Sequence, residues 1–261
     1  MKKVKEPLHP DSLFVLCMET LLFFTILAET LFCTYLVTFI PKGQLNKSNG
    51  LLIFCFVADL IFFLRVLINF HCAFYDEGGL RTSFRFIAIH YIKGMLFIDL
   101  FSLLNIIGYF FLDSAWRALI ALAAIRIYKI PIIIGVFENY FQVSREIGSL
   151  IRVIKLGLIL YVYAHMCACL LDAVGTHEST PTWITNGGFE NESPGDMYVI
   201  SIYWSSQTIT TVGYGDITPV QIRERALLIF MFLCSSIILG YIIGTIASIL
   251  SEMSSFTTEN W

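Results

Sequence analysis

Six long apolar stretches, each about the length of a membrane-crossing helix, divide most of this 261-residue chain. A helix needs about 20 mostly apolar residues to cross the roughly 30 Å hydrocarbon core of a bilayer. The stretches lie at 13–40, 51–70, 92–112, 116–137, 156–174 and 226–250. A soluble fold could not bury so much apolar side chain, because 57% of the residues are hydrophobic and only 14% are charged. The sequence therefore predicts an all-α membrane protein with six transmembrane helices.

A shorter apolar stretch at 197–210 leads into a run of specific residues, Tyr203-Trp-Ser-Ser-Gln-Thr-Ile-Thr-Thr-Val-Gly-Tyr-Gly-Asp216. The stretch is too short to cross a bilayer, so it predicts a re-entrant helix between the fifth and sixth spans. Irregular backbone at membrane depth must be buried in protein or line a water path. The glycines of the run are therefore expected to lie beside an aqueous pathway.

The segment Thr211–Gly215 has the properties of a selectivity filter for a monovalent cation. A protein that dehydrates such an ion must replace its water shell with rings of oxygens. Gly213 and Gly215 permit the positive φ values that a ribbon of inward-facing carbonyls requires. The expected ligands are the Thr211 hydroxyl and the carbonyls of Thr211, Val212, Gly213 and Tyr214. A simple Gly-rich turn between two helices is the alternative interpretation.

Three neighbouring residues are expected to support this segment. Tyr214 should point away from the pore axis and pack against aromatic residues that include Trp204. Asp216 follows the segment directly, and its carboxylate is expected to accept a hydrogen bond from Tyr203. The predicted site therefore combines a backbone filter with a polar and aromatic support.

Thr211-Val-Gly-Tyr-Gly215 resembles the selectivity signature of potassium channels, and the similarity extends over about residues 12–252. Outside the signature, the chain resembles the branch with the ether-à-go-go, hyperpolarisation-activated, cyclic-nucleotide-gated and plant inward-rectifier channels. The segments that carry the similarity are Asp59…Leu67-Ile-Asn-Phe70, Ile87-Ala-Ile-His-Tyr-Ile-Lys-Gly94, Phe97-Ile-Asp-Leu100, Arg152-Val-Ile-Lys155, Ala164-His-Met-Cys-Ala-Cys169 and Gly240-Tyr-Ile-Ile-Gly244.

This resemblance implies a tetramer of six-helix subunits around one pore, so that each chain has three further subunits as partners in a homotetramer or heterotetramer. It implies potassium ions in the filter and no other cofactor. The implied domains are a voltage-sensor-like four-helix domain at 13–140, a cytoplasmic linker helix at 141–155 and a pore domain at 156–252. Residues 1–12 and 253–261 would form two tails.

Basic residues in the short loops predict the orientation of the chain, because cytoplasmic loops carry an excess of Lys and Arg. They cluster before the first stretch, after the second and after the fourth, at Lys2, Lys3, Lys5, Arg81, Arg85, Lys93, Arg145, Arg152 and Lys155. Between 156 and 222 there is no Lys or Arg. Both tails are therefore predicted to be cytoplasmic in a multi-pass protein of the lipid bilayer.

The sensor-like domain departs from the family in its charges. The fourth helix of a voltage sensor carries a basic residue at every third position. Here the ladder is basic only at Arg117, Arg126 and Lys129, and Pro131 should kink or end the helix. With at most three charges per subunit, the sequence predicts weak dependence of gating on voltage.

The second helix carries Asp59 and then Arg65, where the resemblance implies a second acid. Arg65 is expected to repel the basic ladder. We expect Asp59 and Asp99 to pair with Arg65 instead. Alternatively, these charges only fix the packing of the helices.

Further residues are candidates for gating or for charge pairing within the membrane. Ser235 lies where relatives often have a hinge glycine, and Gly240 and Gly244 are either flexible points or sites of close helix packing. Glu19 and Glu29 are costly in lipid and should face protein or water. They would either pair helices or line a cation route.

Six acids lie between Lys155 and Arg223, at Asp172, Glu178, Glu190, Glu192, Asp196 and Asp216. Such a cluster would attract cations to the outer mouth of a pore, or would only keep an outward loop soluble.

Other classes of function receive little support. No nucleophile–base pair, phosphate loop or metal-ligand spacing occurs outside the apolar stretches, so neither enzyme activity nor catalytic residues are predicted. The net charge of −3 argues against binding to nucleic acid, and no cyclic-nucleotide site is recognisable up to Trp261. Two alternatives remain, a non-selective cation channel of the same branch and a non-conducting membrane subunit of a larger complex.

Overall fold

A computed structural model of the chain describes residues 7–40, 49–76, 79–104, 121–140, 145–176 and 181–259, most of them helical. The chain forms two compact units, one from residues 1–37 and 42–143, the other from 38–41 and 144–261. The change of unit after residue 143 lies close to residue 140, where the sequence predicts that the sensor-like domain ends.

The first unit begins with two long helices and a short hairpin. Its elements are α1 (Leu13–Phe39), α2 (Asn49–Asn69), β1 (Phe74–Asp76) and β2 (Gly79–Arg81). The strands are antiparallel, with Phe74 opposite Arg81. The described residues are mostly helical, in agreement with the all-α prediction. The hairpin is an addition to that prediction and is too short to give a periodic signal in the sequence.

The third apolar stretch begins inside one helix and continues in another. α3 (Phe84–Lys93) and α4 (Leu96–Ser102) are separated at Gly94, whose N–H donates to the carbonyl of His90 at 3.0 Å. Glycine is a poor helix former, so a break at this point has a local cause. Residues 105–112 of the stretch lie outside the described residues.

The fourth stretch changes helix type within its length. A 3₁₀ helix at Ala121–Lys129 is followed directly by α5 (Ile130–Tyr140). Pro131 thus marks a change of helix type, and it is tolerated in the first turn of α5 because N–H groups there lack intrahelical partners. Residues 116–120, with the candidate Arg117, lie outside the described part of the chain.

The second unit contains α6 (Arg145–Gly175), α7 (Trp183–Gly187), α8 (Pro194–Ile209) and α9 (Ile222–Glu259). α6 is continuous, so the predicted linker helix and the fifth apolar stretch share one helix without a break at residue 155. α6, α8 and α9 pack together around buried side chains that include Ala168, Leu171, Trp204, Ile209, Leu228 and Met231.

Among the described residues, three helical segments are long and apolar enough to cross a membrane: Leu13–Phe39, Gly148–Gly175 and Ile222–Glu252. They correspond to the first, fifth and sixth predicted spans. α2 covers the second span with a single helix of 21 residues. The third and fourth spans run partly through residues outside the described ranges and stay predictions.

Candidate selectivity filter and buried ion pairs

α8 gives the Thr211–Gly215 segment a fixed starting point. Ser193 caps the helix, because its Oγ accepts the N–H of Asp196 at 3.3 Å, and Pro194 occupies the first position. One face of α8 is buried in the second unit, through Met197, Ser201, Trp204, Ser205, Gln207 and Ile209. The helix ends at Ile209, immediately before the segment.

Positive φ values occur at every second residue of the segment, at Thr211 (62°), Gly213 (57°) and Gly215 (75°). The sequence predicts positive φ for the two glycines, and the structure confirms it. Thr211 is unexpected, because a β-branched residue rarely adopts this conformation, which costs about 1–3 kcal/mol. When positive and negative φ values alternate, like groups of successive peptide units, either all N–H or all C=O, can converge on one side of the backbone.

Gln207 holds the segment with both its main chain and its side chain. Its carbonyl accepts the N–H groups of Val212 (2.9 Å) and Gly213 (3.2 Å). Its Oε1 accepts the N–H of Tyr214 at 2.7 Å, and its Nε2 donates to Asp216 Oδ1 at 2.9 Å. Sequence reasoning missed Gln207, although a polar residue on the buried face of α8 was an available signal.

The predicted hydrogen bond between Tyr203 and Asp216 is present. The Tyr203 hydroxyl donates to Asp216 Oδ2 at 2.8 Å. Together with the bond from Gln207, which contributes most, it holds the pKa of the Asp216 carboxyl below its usual range. The charge directly after the filter segment is therefore fixed in place and kept ionised.

The predicted packing of Tyr214 against aromatic residues that include Trp204 stays a prediction, because the structure contains a single chain. The Tyr214 side chain is 72% exposed and that of Val212 is 52% exposed, whereas Trp204 is buried. Within one chain, the described residues around Tyr214 therefore leave its ring open to another molecule.

Glu224 is a buried acid that sequence reasoning missed. It lies in the first turn of α9 and is completely buried. Its Oε2 accepts the N–H groups of Val220 (2.7 Å) and Gln221 (3.1 Å), and its Oε1 accepts that of Trp183 (3.0 Å). A Glu three positions after a helix cap was a detectable capping signal, but the bond to Trp183 was not detectable.

The six acids between Lys155 and Arg223 differ in their exposure to solvent. Asp172 is buried, and Asp196 bonds to Ser193 at the start of α8. Glu190 and Glu192 are exposed, while Glu178 lies outside the described residues. Of the described acids in this set, only Asp172 is therefore closed to solvent.

The candidate gate residues lie within one uninterrupted helix, α9. Ser235 donates to the carbonyl of Met231 at 2.8 Å, and the Tyr163 hydroxyl lies 3.1 Å from Ser235 Oγ. A Cβ added at Gly240 or Gly244 would meet nothing within 4 Å. Close packing within one chain therefore does not explain these two glycines.

The ends of α6 and α9 are joined by a forked ion pair. Arg152 Nη1 and Nη2 donate to the two carboxylate oxygens of Glu252 at 3.0 and 2.5 Å. Both side chains are about one-third exposed, so water and salt weaken their attraction.

In the first unit, Arg126 is the centre of a fully buried charge cluster. Its Nη1 donates to Glu29 Oε2 at 2.7 Å, and its Nη2 donates to Asp59 Oδ1 and to the carbonyl of Ser102. Its Cζ lies 4.3 Å from the centre of the Phe62 ring. The cluster joins α1, α2 and α4 to the 3₁₀ helix.

Lys129 forms a second pair one 3₁₀ turn further on. Its Nζ donates to Asp99 Oδ2 at 2.9 Å, and the hydroxyls of Tyr91 and Tyr128 donate to the same carboxylate. Its Nζ also lies 4.7 Å from the centre of the Phe62 ring. Because residues i and i+3 of a 3₁₀ helix lie above each other, Arg126 and Lys129 share one side.

Arg65 belongs to a third pair, so the predicted pairing of Asp59 and Asp99 with Arg65 is wrong. Arg65 Nε donates to Glu19 Oε1 at 2.7 Å, and its Nη1 donates to Asn69. Glu19 thus neutralises the base that is expected from the sequence to repel the ladder. Both acids of α1 serve helix pairing, one of the two roles left open for them.

Comparison with known proteins places these features in a family. The chain matches the family described as ion transport protein over residues 16–257. It is 24% identical over 246 residues to the potassium voltage-gated channel protein eag of Drosophila melanogaster, covering 84% of this chain and 20% of that protein.

Two further relatives come from a plant and an animal. The potassium channel KAT3 of Arabidopsis thaliana is 28% identical over 213 residues, covering 77% of this chain and 32% of that protein. A cyclic nucleotide-gated cation channel protein of Drosophila melanogaster is 27% identical over 230 residues, covering 83% of this chain and 34% of that protein. The chain thus spans about a third or less of the length of these relatives. With most of its length matched, the chain belongs to the ion transport protein family.

Proposed function

We propose that this chain is the subunit of a potassium-selective channel whose filter is Thr211–Gly215. The observation that carries the proposal is the alternation of positive φ at Thr211, Gly213 and Gly215, held in place by Gln207. Such a backbone offers several carbonyls to one side, as the dehydration of a monovalent cation requires. The names of the eag and KAT3 relatives agree with potassium as the ion.

A ring of oxygens needs more than one chain, so we propose a tetramer around a shared axis. The exposure of Tyr214 and Val212 supports this, since both are apolar or aromatic and unburied within one chain. α9 also exposes large apolar side chains over several turns, including Ile229, Phe230, Leu233, Ile237 and Ile243. Neighbouring subunits and lipid would cover these surfaces.

The proposed membrane topology has six spans, the re-entrant helix α8 and two cytoplasmic tails. In this arrangement the first unit is a sensor-like domain with weak voltage dependence. Arg126 and Lys129 each bind buried acids, so moving them across the membrane would require those pairs to exchange. Conductance–voltage curves shallower than those of channels with 3–4 gating charges per subunit would be the expected result.

The test of the proposed function is reconstitution of the purified chain in a planar bilayer with opposed potassium and sodium gradients. A reversal potential that follows potassium is expected. Gly213→Ala should abolish conduction or selectivity. A Cβ at Gly213 meets nothing within 4 Å in one chain, so the cause would be its φ of +57°.

Gly188→Ala is the matched control. Gly188 has a φ of +73° and equally open surroundings, but it ends α7 and lies outside the filter. Its replacement should impose similar backbone strain and leave selectivity unchanged. Loss of selectivity in both variants would contradict the assignment of the filter.

A non-selective cation channel is the second candidate, supported by the similarity to a cyclic nucleotide-gated cation channel. A reversal potential midway between those of potassium and sodium would favour it. Absence of current from the chain alone, with current restored by a related channel protein, would instead favour a non-conducting subunit.

A further inference from the structure

Glu224 lies at the point where the chain that leaves the filter segment enters α9. Its carboxylate is completely buried, and burial of a carboxylate is costly unless several donors serve its oxygens. Three backbone N–H groups do so, at 2.7, 3.0 and 3.1 Å. The filter chemistry described above uses neither Glu224 nor these donors.

Helix capping explains only part of this arrangement. A Glu in the first turn often reaches back to the N–H of the capping residue, as Glu224 does to Gln221. The bond to the N–H of Trp183 is different, because Trp183 precedes Glu224 by 41 positions. Glu224 therefore joins two segments that are distant in sequence.

Trp183 is itself firmly held. Its side chain is buried, and its Nε1 donates to the carbonyl of Leu171 on α6 at 3.0 Å. The ring lies so close to Gly175 that a Cβ added there would come within 2.3 Å of Trp183 Nε1. Through Trp183, the Glu224 carboxylate is anchored to the end of α6.

We propose that Glu224 is a positioning residue that fixes the outer end of the filter. This inference rests on the proposed function, in which Thr211–Gly215 conducts potassium. Gln207 holds the start and middle of the segment, whereas Glu224 holds Val220 and Gln221, a few residues after Asp216. With both ends held, the strained φ of Thr211 is maintained even when few ions occupy the filter.

The inference predicts a dependence on potassium concentration. An ion that binds only the ordered filter stabilises it by mass action. If the outer anchor is weakened, more potassium is needed to keep the filter ordered, but a saturated filter conducts normally. The potassium concentration that gives half-maximal single-channel conductance should therefore rise. The maximal conductance should stay close to that of the wild type.

The test compares Glu224→Gln, Glu224→Ala and the control Asp76→Asn in bilayers at constant ionic strength. Glu224→Gln keeps one acceptor oxygen and should raise the half-saturating potassium concentration several-fold. Glu224→Ala keeps none and should raise it about tenfold or more, as expected for lost hydrogen bonds to a charged group. Asp76 is exposed and belongs to the first unit, so its variant should behave like the wild type.

Hydrogen exchange of purified protein provides the second measurement. Both Glu224 variants should increase amide exchange over 211–221 in low potassium, and high potassium should reverse the increase. The inference would be overturned if the Glu224 variants only reduced the number of active channels. In that case the half-saturating potassium concentration and the amide exchange over 211–221 would stay unchanged. A wild type without potassium selectivity would refute the proposed function, and exchange over 211–221 would still decide whether Glu224 anchors this segment.

Discussion

Charged side chains in the interior of the first unit neutralise one another. Buried polar side chains around the proposed filter in the second unit instead bind the main chain. Arg126 and Lys129 have carboxylates as partners. Gln207 and Glu224 instead accept backbone N–H groups. Removing one partner in the first unit leaves a buried charge unpaired. Removing Gln207 or Glu224 in the second unit instead leaves backbone N–H groups without their acceptor.

Because of this difference, the two kinds of contact are expected to affect different properties, stability in the first unit and ion selectivity in the second. A buried ion pair contributes little net stability, yet the loss of one member is costly. A side chain that holds a backbone segment fixes the position of carbonyls without being a ligand itself. We therefore expect substitutions in the first unit to act on unfolding and those around the filter to act on ion discrimination.

The largest effect is expected for Arg126→Gln, which leaves the Glu29 and Asp59 carboxylates buried together. Loss of one member of a buried cluster should lower the free energy of unfolding by about 3–5 kcal/mol. Thermal unfolding in nanodiscs measures this loss. The control is Arg81→Gln, whose ion pair with Asp76 is about half exposed and contributes about 0–1 kcal/mol. Equal shifts in the two variants would contradict the prediction.

An intermediate effect is expected for Gln207→Ala, which removes the acceptor of the Tyr214 N–H and a donor to Asp216. An unsatisfied buried donor costs about 1–3 kcal/mol, and about 1.4 kcal/mol corresponds to a tenfold change. Selectivity for potassium over sodium should fall about tenfold by reversal potential, with a small change in unfolding temperature. Tyr203→Phe removes a single bond to Asp216 and should have the weaker effect. If Gln207→Ala lowered the unfolding temperature without changing selectivity, the expected link between this side chain and ion discrimination would be contradicted.

The smallest effect is expected for acidification of the outer solution. Hydrogen bonds from Gln207 and Tyr203 lower the pKa of the Asp216 carboxyl. The stability that the ionised carboxylate contributes is therefore fully present above the unfolded pKa of about 3.9. It is lost only as the pH falls through the lower folded pKa. Titration of Asp216 should therefore not alter conduction between about pH 8 and pH 5. Tyr203→Phe removes one of the hydrogen bonds and should raise the pKa of the Asp216 carboxyl. Single-channel conductance as a function of outer pH checks the first statement, and carboxyl NMR titration of Asp216 checks the second.

The positive φ values at Gly213 and Gly215 were predictable from sequence because the geometry of this segment is largely local. Glycine at two alternating positions permits positive φ wherever the rest of the chain lies, and Asp216 is close enough in sequence to be placed beside Tyr203. Thr211 was not predictable, since its own preference opposes the conformation that Gln207 and its neighbours impose. The packing expected for the Tyr214 ring stays a prediction, because it requires surfaces that one chain does not supply.

The ion pairs were harder to predict because their partners come from distant helices. Glu19 and Arg65 are 46 positions apart, and Glu29 and Arg126 are 97 apart. The spacing of charges along one helix gives the side on which they lie, but not which helix faces them. The 3₁₀ form of Ala121–Lys129 also depends on the surrounding packing, which single-sequence periodicity does not contain.

The 3₁₀ helix at Ala121–Lys129 makes the pairing of its charges depend on its pitch. A 3₁₀ helix rises about 2.0 Å per residue and an α-helix about 1.5 Å, so rewinding these nine residues would shorten the segment by about 4.5 Å. The same rewinding would turn Lys129 by about 60° relative to Arg126, because three residues no longer complete a turn. The segment could then not serve Asp59 and Asp99 simultaneously, so its length and its charge pairing change together.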